Sequence, residues 1–132
     1  MLNTIALIVV SLTGLYLIAL AAVSFAAPAR ASSFLMGFAS SAAAHYSELF
    51  VRAAAGCAFI VMAPHVPFPL VFTVFGWILV GTTAVLFLVP WQWHRKFALR
   101  AVPQALRALP LVAAASLLLG AFVLWSVARS AA

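Results

Sequence analysis

Glu48 is the sole acidic side chain among 132 residues, and Arg52 follows it by four positions. An acid with a base four residues on is the favourable order for a same-face helical ion pair. His45 stands three residues before Glu48, and Gly56 four after Arg52. On a helix these four positions line up as one polar stripe in otherwise apolar surroundings. Ionisable groups inside an apolar segment are costly and face protein or water, so His45, Glu48 and Arg52 are the candidate interaction or ion-pair residues. Two chemistries compete for them. A proton-handling carboxylate needs an environment that disfavours its charged form. Arg52 does the opposite, and the chain has no second acid to relay a proton. A structural or docking ion pair is therefore the stronger reading, with Arg52 snorkelling back toward the headgroups.

The three histidines pose a second question. His45 and His65 fall at opposite ends of one expected helix, about 20 residues and so about 30 Å apart, which forbids a shared metal. His45 and His94 fall on the same side, where a haem with two axial imidazoles is conceivable. No second carboxylate or cysteine supports a metal centre, His94 lies in a basic run that reads as interfacial, and no cofactor is expected. There is no Asp, no Ser paired with a base at a meaningful spacing and no glycine-rich phosphate loop, so an enzyme is not expected either. Cys57, the lone cysteine, reads as a small buried hydrophobe.

What positions these residues follows from composition. The chain is 68% hydrophobic and 6% charged, with a mean hydropathy of +1.26. Soluble domains carry roughly 25% charged residues, which excludes that class. The net charge of +6 reflects seven Lys/Arg against one acid rather than a basic face for nucleic acid. A spanning helix needs about 20 mostly apolar residues. Four stretches qualify, at approximately 4–27, 42–63, 70–89 and 110–128. The expected fold is a single all-α membrane domain over 1–132, a bundle of four transmembrane helices. A retained first span fits better than a signal peptide, because no basic residue precedes a run that is also too long.

Punctuation sets the boundaries. Pro28 ends the first span, and Ser32 or Ser33 is placed to cap a short interfacial helix carrying Phe34, Leu35 and Phe38. Ser40 or Ser41 would cap the second span, and the turn holding Pro64, Pro67 and Pro69 ends it. Pro69 and Pro90 bracket the third span. Between the third and fourth spans, Leu99, Val102, Leu106 and Leu109 share one helical face, and Lys96, Arg100 and Arg107 a neighbouring one. Pro103 and Pro110 should break or kink this basic amphipathic segment. Trp91, Trp93, Arg95, Lys96, Arg100 and Arg107 are its candidate contacts with lipid headgroups, anionic ones above all. An acidic protein partner is the alternative.

Four spans place Arg30, Arg95, Lys96, Arg100 and Arg107 on one side and Arg129 alone on the other. The basic side should be cytoplasmic and both termini should face away from it. Small residues mark close helix approaches: Ser11 and Gly14 in the first span, Ala53, Gly56 and Cys57 in the second, Ala113, Ser116 and Gly120 in the fourth. The third span instead carries Phe72, Phe75, Trp77 and Phe87 around its girth, which suits lipid or a partner protein. Six arginines to one lysine and the abundance of alanine suggest a GC-rich bacterial genome, hence an inner membrane. Size and layout are similar to those of small multidrug exporters, but their essential acid in the first helix has no counterpart here. The Asn- and Phe-rich pore motifs of small fluoride channels are absent as well. The leading expectation is a small non-enzymatic subunit that packs against a larger inner-membrane complex, or against itself, and contacts lipid. The alternative is a small oligomeric transporter or channel with Glu48 as its proton or cation site.

Overall fold

The computed structural model describes residues 1–37 and 41–130. Phe38 and Ser40 lie outside the described residues, and so do the side chains of Ser32, Leu35, Val102 and Leu106. Among the described residues all regular structure is helical: α1 (Leu2–Ala26), α2 (Pro28–Gly37), α3 (Ala42–Met62), α4 (Pro69–Leu88), α5 (Trp91–Arg107) and α6 (Leu109–Ser130), with a 3₁₀ turn at Ala63–His65. Four helical stretches are long and apolar enough to cross a membrane: α1, α3 with its 3₁₀ turn, α4 and α6. This is the make-up of a multi-pass membrane protein.

The local chemistry of each end explains these bounds. Ser41 is in extended conformation before α3, and its hydroxyl accepts from the Ala44 amide at 3.1 Å, meeting one of the unpaired donors of the first turn. Proline serves as a first-turn residue in α2 and α4, where its missing N–H costs nothing. The same rule corrects one expectation: the interfacial helix opens at Pro28 itself rather than after Ser32 or Ser33. The break expected at Pro110 falls just ahead of it, where Ala108 parts α5 from α6 and Pro110 is the second residue of α6. There is no break at Pro103, and α5 continues through it to Arg107.

The main contacts are pairwise: α1 packs against both α6 and α3, and α4 packs against α3. Two crossings are set by glycine pairs. A Cβ added at Gly76 would stand 2.8 Å from the Gly56 carbonyl oxygen, and one at Gly120 would stand 2.9 Å from that of Gly14. Without side chains at these points the backbones of α3 and α4, and of α1 and α6, approach to direct contact. Phe59 stacks with Phe72 and Phe75 at the end of the bundle that holds the termini, and Phe68 and Phe72 reach Phe122 on α6. At the opposite end α2 contacts both α1 and α5, and α5 touches α6. Cys57 is exposed on the outer face of α3, not buried, because the inward positions there belong to Ala55, Gly56, Ala58 and Phe59.

Candidate functional site

The polar stripe of α3 lies where that helix meets α4 and α5. Starting from the backbone, His45, Leu49, Gly56 and Phe59 face inward, which turns Glu48 and Arg52 toward the same seam. Arg52 Nη1 stands 3.7 Å from Glu48 Oε1, so the ion pair forms at four-residue spacing. The guanidinium also reaches across to α4. Its Nη2 donates to Thr82 Oγ1 at 2.6 Å and its Nε to Thr83 Oγ1 at 3.3 Å. Each threonine hydroxyl donates its own hydrogen back to a carbonyl one turn earlier, Ile78 for Thr82 at 2.7 Å and Leu79 for Thr83 at 2.6 Å. Their lone pairs are thereby left to receive the arginine. These contacts make Arg52 an interhelical clamp between α3 and α4.

His45 is fully buried, and its Nδ1 lies 2.7 Å from Nδ1 of His94 on α5. This contact joins residues 49 positions apart and fastens the basic helix to the start of α3. The ring nitrogens bond each other, which differs from two axial ligands on opposite faces of a macrocycle. His94 is half-buried, and burial holds its pKa below the ordinary imidazole value. Arg52 and His45 act in the same direction, and Glu48 alone opposes them. Two polar atoms of the stripe are buried without a partner, His45 Nε2 and Glu48 Oε2.

The sequence-derived candidates thus divide into two sets. His45, Glu48 and Arg52 come together, joined by His94, Thr82 and Thr83. Trp93, Lys96 and Arg100 line a surface groove on α5 with Phe97, while Arg95 and Arg107 are exposed and Trp91 is half-buried. His65 is exposed at the end of the 3₁₀ turn, with its Nε2 3.4 Å from Asn3 Nδ2, far along α3 from His45. Thr82 and Thr83 escaped the sequence reading, although Gly81-Thr82-Thr83 is a polar interruption of an apolar helix. No protein family, no curated protein and no solved structure matches the chain. The chemistry of the site has to be read from its own residues.

Proposed function

We propose that the protein is a small non-enzymatic subunit of the bacterial inner membrane that packs against a larger membrane complex and contributes to its assembly, stability or lipid contacts. The observation that carries this reading is the flank of α4. It is the least buried of the four apolar helices, and it exposes Trp77, Ile78, Val85 and Phe87 along its length. Rigid aromatic side chains supply large contact areas to a neighbouring helix at low entropic cost. The polar groups of the seam support the same reading. Arg52 is already held by Glu48 and two threonines, and His45 by His94, so these groups serve contacts within the chain.

Extraction from native membranes in mild detergent tests the proposal. Stoichiometric recovery with a large complex is expected, and Trp77→Ala with Phe87→Ala should weaken that recovery. A self-contained small oligomer that carries a proton-driven flux in liposomes, abolished by Glu48→Gln, would instead establish the transporter.

The orientation that accompanies this reading places both termini outside the cytoplasm, with α5 on the cytoplasmic surface. There its basic residues gain about 1 kcal/mol each near anionic lipid. Alkaline phosphatase fused after Ala132 should be active and the same enzyme fused after Arg100 inactive; the reverse pattern would invert the topology.

A further inference from the structure

We propose that His45 and His94 form a binding site for one shared proton, with Glu48 as its counter-charge, at the surface end of the α3–α5 contact. Three observations meet here. The Nδ1 atoms are 2.7 Å apart, so one ring donates to the other. His45 Nε2 is buried with no partner, and the buried, unpartnered Glu48 Oε2 lies one turn along on the same face of α3. The second nitrogen of a fully buried ring is therefore unused, and so is a carboxylate oxygen one turn along the helix.

The proton count follows from these positions. In the neutral pair that accepts a proton from the surface, His94 carries its hydrogen on Nδ1 and leaves Nε2 free, while His45 carries its hydrogen on Nε2. A hydronium at the membrane face gives its proton to His94 Nε2 and is left as water. The Nδ1 hydrogen of His94 then passes across the bond to His45 Nδ1. His45 becomes the imidazolium, donating through Nδ1 to His94 and holding its second hydrogen on Nε2, with Glu48 one turn along α3 as the counter-charge. A hydrogen bond with one charged partner is roughly twice as strong as a neutral one, so the first proton tightens the contact. A second proton would set two cations side by side and part them.

The neighbours of the pair pull in both directions. At His94, burial and the charge of Arg52 oppose a proton and Glu48 favours it. Tyr46 lies edge-on to His45 with ring centroids 5.0 Å apart, and Arg95 and Lys96 follow His94 on α5 and are exposed. Tyr16 on α1 is neutral in this range. Arg30 is the sole ionisable group of α2 and is exposed; α4 contributes threonines and no ionisable group. Beyond Arg52 the inward face of α3 is Ala55, Gly56, Ala58, Phe59 and Met62, which offers a proton no onward partner. The site binds a proton without conducting it.

Nitrogen-15 NMR of histidine-labelled protein in lipid nanodiscs tests this without any substitution, with exposed His65 as the internal reference. Expected are a through-hydrogen-bond coupling between the two Nδ1 nuclei and two uptake steps, each sensed by both rings, separated by more than about one pH unit. In His94→Gln the remaining ring should titrate in one step, and Glu48→Gln should move the upper step of the pair to lower pH. A single uptake coincident with His65 and without coupling overturns the proposal, as does an upper step indifferent to Glu48→Gln.

Discussion

Gly76→Val is expected to separate α3 from α4 and to cost roughly 3 kcal/mol or more, the upper end of what overpacking usually costs. A Cβ at this position would stand 2.7 Å from Ile60 Cγ1, 2.8 Å from the Gly56 carbonyl oxygen and 3.1 Å from the Ile60 amide nitrogen. Ile60 can rotate its side chain away. The backbone of α3 cannot yield without moving the helix, and the helix carries the clamp between Arg52 and the two threonines. Gly120→Val should behave alike at the other crossing, where the Gly14 carbonyl oxygen is 2.9 Å from the new carbon. Gly81 supplies the control on the same helix as Gly76, because nothing lies within 4 Å of a Cβ placed there. Gly81→Val should change stability by no more than about 0.5 kcal/mol, as surface substitutions do. Thermal unfolding of purified protein in detergent, followed by the loss of monodisperse material, reads all three. Equal losses at Gly76 and Gly81 would mean that the glycine crossing does not determine how closely α3 and α4 pack.

These crossings also show how far the sequence can be read. Gly14, Gly56 and Gly120 stand out because small residues punctuate spans made of larger ones. Gly76 does not, since Phe75 and Trp77 on either side suggest a lipid-facing stretch. Which side of an apolar helix turns inward is settled by its neighbours rather than by its own period, and with no polar face on α4 there is little to reveal it. Cys57 fails for the same reason: smallness permits burial on α3 without selecting it. The helix ends were legible because Ser41, Pro28, Pro69 and Pro90 act through local hydrogen bonding, which neighbouring sequence determines. The i to i+4 pair of Glu48 and Arg52 is local as well. Its partners are not. Arg52 starts about 15 Å into α3 and leans back toward the helix start, whereas Thr82 and Thr83 lie about 8–9 Å from the end of antiparallel α4. Depth alone would have matched them, but helical periodicity within one segment carries no such information. His94 was legible as lying on the same side as His45, but not as its partner. It sits in a basic run whose composition points to headgroups, and only the packing of α5 against the start of α3 brings that one ring onto His45.

Removing one member of the ion pair should harm the fold more than removing both, and the two single losses should differ. Breaking a buried pair typically costs about 3–5 kcal/mol, while replacing both partners can be near neutral. Here the Arg52 side chain is 29% exposed and that of Glu48 18%, so costs at or below the bottom of that range apply. Glu48→Gln leaves the guanidinium still bonded to Thr82 and Thr83, at an expected cost of about 2 kcal/mol. Arg52→Gln leaves a carboxylate whose Oε2 is already buried without a partner, and Glu48 then has neither counter-charge nor donor from α4. About 3 kcal/mol is expected for that change. The double replacement by glutamine removes both charges and should fall below either single change. The same detergent unfolding assay ranks them: Arg52→Gln lowest, Glu48→Gln next, the double variant nearest to the unaltered protein. Equal losses in all three would show that the two charges do not stabilise one another. A double variant worse than both singles would assign the stability to each residue's separate contacts, leaving the threonine clamp as what joins α3 to α4.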